Sequence, residues 1–262
     1  MSFTAPVLNY AQLAPMLIVL GGALIGVLIE AFAPRASRHT SQLFITVAAL
    51  VTSFAALMQV RTQSSADAAM GSVAFDGAGV LLQASILIIA LLSVFLIADQ
   101  ENFTALPAAV PGSLEERESL QLDLRVTEVY PLTLFAVAGM LLFPVSTDLI
   151  TLFVALEVLS LPLYLMAGLS RRRRLMSQEA ALKYFLLGAF SSAFFLFGAA
   201  YLYGYSGSIT FAGIQSSVVG GSGNDVFLLL GIAFISVGLL FKVGAVPFHA
   251  WSPDVYQGAP TA

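Results

Sequence analysis

The chain has no cysteine and only two histidines, His39 and His249, in 262 residues. The first absence excludes iron–sulfur clusters, thiolate zinc and disulfides, and the second leaves a bis-histidine haem dependent on two distant segments. No redox centre is expected in the chain itself. Charge is scarce too: Asp, Glu, Lys and Arg make up 10% of the residues, where soluble domains carry about a quarter. Apolar residues make up 58%, a composition that belongs in a lipid bilayer rather than in water. The formal net charge of -4 says little about partners, because membrane proteins segregate charge by loop and side. No nucleic-acid partner is expected. Low-complexity segments and convincing sequence repeats are absent.

Apolar runs long enough to cross about 30 Å of hydrocarbon lie near 13–33, 41–60, 77–98, 130–146, 149–169, 180–204 and 226–246. They predict an all-α, polytopic membrane protein of about seven transmembrane helices. The first run has no basic segment before it and is a full span in length, so it reads as a retained helix and not a cleaved signal. Arg35, Arg38, Arg117, Arg125 and the block Arg171, Arg172, Arg173, Arg174 fall in alternate loops, with Arg61 alone on the other side. By the positive-inside rule this places the N-terminus outside and both the arginine block and the end of the seventh helix in the cytoplasm. Three parts follow: a three-helix segment over 1–98, a polar cytoplasmic loop over 99–128, and a four-helix block over 129–262. Glu30, close to the end of its helix with Arg35 and Arg38 beyond, is expected to snorkel to the interface.

The second block carries the charges that need explaining. Lys242 sits in the apolar run Val226 to Val246, just before Pro247, and a lysine at a helix centre costs about 2.5–3.5 kcal/mol on insertion scales. Glu157 and Lys183 lie in neighbouring runs in the same way. Helical rise puts each about 13 Å from the end of its helix, near the midplane, so that Lys183 is able to face Glu157; Lys242 falls roughly 25 Å along a straight seventh helix. Pro162 and Pro247 leave the carbonyls of Val158 and Val243 without donors. Freed carbonyls at membrane depth need protein or water partners. With Gly244 beside Pro247, the seventh helix is expected to be discontinuous, a feature of ion-handling transporters.

A buried lysine and a buried carboxylate hold each other ionised when close, and a buried amine sheds its proton more readily once the carboxylate withdraws. A Glu157–lysine pair that opens would therefore release a proton in response to a conformational change, without a cofactor. Either Lys183 or Lys242 can be the partner. The competing reading is a pair that only locks two helices together.

The stretches EVYPLTLFAVAGMLLFPVSTDLITLFVALEVLSLPLYLMAGL, EAALKYFLLGAFSSAFFLFG and GLLFKVGAVPFHAWSPDVYQGAPTA resemble the antiporter-like membrane subunits of proton-pumping NADH:quinone oxidoreductase, respiratory complex I. The ending PDVYQGAPT points to the subunit N branch over its L and M relatives. The likeness runs from about Val126 to Ala262, while residues 1–125 fit by topology alone. The resemblance implies an antiporter-like fold with inverted five-helix repeats, each with a broken helix, of which 129–262 is the first, incomplete at its C-terminal end. It implies that Glu157, Lys183 and Lys242 are proton-path residues of the first half-channel. His249, just past the break, stands second as a relay at the mouth of the path, with a structural hydrogen bond as the equal alternative. No cofactor is expected in this chain; NADH, flavin and iron–sulfur clusters belong to partner subunits, and the neighbours are other membrane-arm subunits in the bacterial plasma (inner) membrane. The family runs to about twice this length, so the 262 residues are expected to be part of a longer subunit. Two alternatives stay open: a subunit of a multisubunit Na⁺/H⁺ antiporter, and a non-transporting membrane scaffold.

Overall fold

Backbone groups in hydrocarbon have no water to bond, so apolar spans close their hydrogen bonds locally as helices. The computed structural model describes residues 8–62, 68–99, 113–114, 126–169, 174–221 and 223–260. Most of the polar stretch 100–125, with Arg117 and Arg125, and Arg171, Arg172 and Arg173 lie outside the described residues, as does the Arg174 side chain. The helices are α1 (Tyr10–Phe32), α2 (Arg35–Val60), α3 (Gly77–Ala98), α4 (Val129–Leu142, continued by a 3-10 turn Phe143–Val145), α5 (Leu149–Ala167), α6 (Arg174–Ser206), α7 (Phe211–Gly220), α8 (Asp225–Val243) and α9 (Trp251–Gly258). Six of them are long and apolar enough to cross a membrane, and α4 with its turn is a shorter apolar helix. The chain is thus a multi-pass membrane protein of all-α class, with only isolated bridges and no strand among the described residues.

The bridges say which helix ends share a side. Asn9 donates its amide to the Ala68 carbonyl at 2.9 Å, Thr147 to Ser72 at 3.1 Å, and Phe211 to Thr147 at 3.0 Å. The start of α1 and the α2–α3, α4–α5 and α6–α7 connections are therefore laced together on one face, as alternating up-and-down spans require. Asp148 anchors the lacing. It is buried, and its carboxylate accepts from the amides of Ile150 at 2.9 Å and Thr151 at 2.8 Å and from the Thr151 hydroxyl at 2.7 Å. Asp148→Ala removes this N-cap of α5 and is expected to cost about 1–2 kcal/mol, read as a lowered thermal midpoint in detergent. An unchanged midpoint would show that the bridges alone hold the end of α5.

Packing between helices relies on small residues, as it must where lipid is as apolar as leucine. A Cβ on Gly139 of α4 would collide with the Leu159 amide nitrogen of α5; on Gly198, Gly231 or Gly238 it would come within 3 Å of the partner across the α6–α8 contact. Large apolar side chains point outward instead, among them Phe32, Phe44, Leu81 and Leu229. Buried amides and hydroxyls stitch the N-terminal helices: Gln83 Nε2 donates to Leu141 O at 2.9 Å, and Ser53 Oγ to Pro15 O at 2.8 Å.

Four sequence expectations change. Helix α2 begins at Arg35, six residues before its apolar run, so Arg35 and Arg38 are helical and not in a loop. Glu30 does not snorkel freely: its carboxylate accepts from Arg38 Nη1 at 2.8 Å, Gln42 Nε2 at 3.0 Å and Thr127 Oγ1 at 2.7 Å. It ties α1 and α2 to the approach to α4. Helix α6 starts at Arg174, because its first two polar turns are helical although not apolar. The seventh expected span, α8, ends at Val243 and not at Val246: Gly244 takes a left-handed conformation (φ 69) and its amide closes on Leu240 and Phe241. The break is made by glycine, which has no Cβ to oppose that conformation, and Pro247 lies beyond it.

Candidate functional site

Helix α5 presents Glu157, Ser160 and Tyr164 at spacings of three and four, which puts them along one face. Glu157 is half-buried, and its Oε1 accepts a hydrogen bond from the Ser192 hydroxyl of α6. One turn along, the buried Ser160 hydroxyl donates to the Leu156 carbonyl and accepts from Lys242 Nζ, which reaches it from the last turn of α8. One turn further, the Tyr164 ring lies 5.6 Å from that ammonium, a cation–π distance. The Tyr164 hydroxyl is buried without a hydrogen-bond partner among the described residues, and it points at Gly188, where a Cβ would collide with it. A second serine, Ser191, donates to the Gly238 carbonyl at 3.1 Å and ties α6 to α8 beside the site.

The structure brings Glu157 and Lys242 onto one polar strip but does not pair them directly. Among the described residues neither lysine forms an ion pair with Glu157; serine hydroxyls on two different helices, Ser192 of α6 and Ser160 of α5, satisfy the carboxylate and the ammonium separately. The expected closed Glu157–lysine pair is not formed: each partner is held by its own serine. Lys183 is elsewhere. Its Nζ lies 2.7 Å from Asp254 Oδ2 of α9 and 2.7 Å from Glu179 Oε1 one turn back on α6, with the lysine and Asp254 side chains each 43% exposed. The reason is length: α6 has 33 residues, about 50 Å of helix against about 30 Å of hydrocarbon. Nine residues from its start is therefore still near an interface, not at the midplane. His249 is exposed in the connection between α8 and α9.

The residues that the sequence reading missed are Ser160, Ser192, Tyr164 and Asp254. Ser160 and Tyr164 carried a usable signal, since in EVLSLPLY they share the face of Glu157. Ser192 and Asp254 carried none, because each meets its partner across a long sequence separation. Among the described residues no group of three or more His, Cys, Asp or Glu is placed to hold a metal ion.

A discontinuous helix with an ionisable residue in the last turn before the break, on a polar strip shared with a carboxylate, is a feature of ion-handling membrane transporters. Residues 146–262 match the family model described as NADH:quinone oxidoreductase/Mrp antiporter, TM. The chain is 51% identical over 99% of its length to NADH-quinone oxidoreductase subunit N 3 of Streptomyces griseus, and 52% identical over 98% to subunit N of Rhodococcus opacus. It covers 52% of each of these relatives, and so spans about half the length of the curated proteins it matches. Among solved structures it superposes on a chain of respiratory complex I from Thermus thermophilus with a TM-score of 0.71 and 34% identity, covering 94% of this chain and 48% of that one. Residues 146–262 thus carry the segment that this family model describes, and the chain as a whole is similar to relatives that bear the name subunit N.

Proposed function

We propose that the chain belongs to a proton-translocating membrane subunit of NADH:quinone oxidoreductase, in which Glu157 and Lys242 exchange protons along the serine-lined strip when the redox reaction drives a conformational change. One observation carries the reading: Lys242 stands in the last turn before the helix break with its ammonium on Ser160, one turn from Glu157 on the same face of α5. A hydroxyl both donates and accepts, so Ser192 beside Glu157 and Ser160 beside Lys242 are suited to relaying protons once Ser160 turns away from the Leu156 carbonyl. Residues 129–262 form the first antiporter-like repeat in this reading, and His249 lies on the side where the path would open. Lys183 contributes through α9 rather than as a partner of Glu157. The partners in the membrane are other membrane-arm subunits, and the flavin, the iron–sulfur clusters and the NADH site belong to the redox arm of the complex. The membrane is the bacterial inner membrane, with the Arg171 to Arg174 block in the cytoplasm and the N-terminus outside, as the arginine bias favours.

The test is a double replacement, Glu157→Leu with Lys242→Leu, in the full-length subunit of the assembled complex. A translocating strip predicts that NADH-driven acidification of membrane vesicles is lost while the complex persists. Retained acidification would favour a scaffold, because apolar residues replace purely structural buried charges at little cost when both are removed together. Acidification that appears only with Na⁺ present would favour cation exchange instead.

A further inference from the structure

Helix α9 follows the break and is joined to α8 by a non-helical connection, 244–250. Its position therefore depends on what it touches. Asp254 meets Lys183 Nζ at 2.7 Å, and the Trp251 indole stacks on Tyr184 with ring centroids 4.7 Å apart and planes 7° from parallel. Gly258 lies so close to α6 that a Cβ there would stand 2.5 Å from Ala180 Cβ and 2.6 Å from the Met176 carbonyl. These contacts hold all of α9 along the first turns of α6.

Two routes lead from the same contacts to Lys242. Trp251 Nε1 donates to the Phe241 carbonyl at 3.1 Å, at the residue just before Lys242. Tyr184, beneath the indole, packs edge-on against Tyr164 at 4.5 Å and 88°, and Tyr164 is the ring under the Lys242 ammonium. The ion pair at the centre of the docking surface is built to let go. Its partners are half-exposed, so it is weak and screened by salt. Lys183 also keeps a second carboxylate, Glu179 at 2.7 Å, so its ammonium is not stranded when Asp254 leaves.

We propose that Asp254 and Trp251 latch α9 onto Lys183 and Tyr184, and that this latch is a positioning device for Lys242, holding it over Tyr164 and Ser160 when α9 is docked and freeing it when α9 lifts. The latch rests on the translocation reading only for its purpose; docking itself is testable without it.

Trp251 is the single tryptophan of the chain, so its fluorescence reports docking directly. In the full-length subunit, with Trp251 kept as its one tryptophan, in lipid nanodiscs, iodide quenching of Trp251 is expected to rise about threefold in Asp254→Lys. It is expected to return to the original level when Lys183→Asp is added, because the exchange restores opposite charges. Circular dichroism checks that helix content is kept; if Asp254→Lys fails to fold, Asp254→Asn serves in its place and is expected to raise quenching in the same direction. Quenching that stays unchanged in the single variant, or stays high in the exchanged pair, overturns the latch. In the assembled complex, Asp254→Asn is expected to halve the protons pumped per NADH oxidised, whereas Tyr184→Phe, which keeps the stack, leaves that ratio intact. An unchanged ratio in Asp254→Asn, with Trp251 exposed, overturns the positioning role. If Lys242→Ala leaves the ratio unchanged as well, it is the translocation reading that has failed, and the quenching result still decides docking.

Discussion

Replacing Lys242 with alanine is expected to lower NADH-driven proton pumping by about a hundredfold, the low end of what a positioned acid–base group contributes, while the complex stays assembled. The size of the effect follows from position. Lys242 is the basic residue in the last turn of α8, its ammonium is held by Ser160, and Tyr164 closes over it. Water that fills the space left by alanine carries no fixed charge to draw a proton from Glu157. Lys242→Arg separates two roles. A guanidinium keeps the positive charge and the hydrogen-bond donors but does not release its proton. If Lys242 transfers protons, the arginine variant is as inactive as alanine; if it only supplies a field, arginine restores much of the pumping. Wild-type pumping in both variants, with the subunit shown to be present, would remove Lys242 from the path.

Gly139→Val is expected to be the most damaging single change to the fold. A Cβ at this position of α4 meets the Leu159 amide nitrogen, the Leu159 Cα at 2.8 Å and the Ala155 carbonyl at 2.9 Å. All three are backbone of α5, and a helix backbone does not yield as a side chain does. Relief requires α5 to move away from α4, taking Glu157, Ser160 and Tyr164 with it. Overpacking of a tight core costs typically about 1–3 kcal/mol, and contact with backbone places this case at the upper end. The variant should accumulate poorly in membranes and show a lower thermal midpoint, and what does assemble should pump weakly. Gly188→Ala is the milder control, since the atom it meets is the end of the Tyr164 side chain. Normal accumulation of Gly139→Val would mean that the α4–α5 contact is looser than the backbone spacing indicates.

The helices were legible because hydrocarbon leaves so few options: an apolar run of the right length becomes a span, and all of the expected runs are helical. Their ends were not. Apolar counting misses polar residues that continue a helix into the interface, which is why α6 gained its first turns and Lys183 moved from the midplane to an ion pair with Asp254. Glu30 was misread for a different reason: Thr127, one of its partners, is 97 residues away in sequence, and nothing local announces it. For the site, the costly residues stood out and the cheap ones did not. A lysine or glutamate inside an apolar run demands an explanation, whereas Ser160 and Ser192 are ordinary residues in membrane helices until neighbouring helices aim them. The break in α8 was legible from Gly244 and Pro247 together, but only the backbone reveals that the glycine makes it.

The two ends of the strip are each closed off by a hydroxyl that has nowhere else to turn. Ser160 donates to the Leu156 carbonyl, which has no proton to give back, and accepts from the Lys242 ammonium, which has no lone pair to offer, so this hydroxyl is held in one sense. Among the described residues no hydrogen bond joins it to Ser192, which serves Glu157 alone. With both contacts made, the strip is an open circuit: a proton at either end meets no acceptor leading to the other. In the proposed translocation reading, leakage at rest would therefore be blocked by the same contact that holds Lys242, and passage would depend on that contact being broken on time.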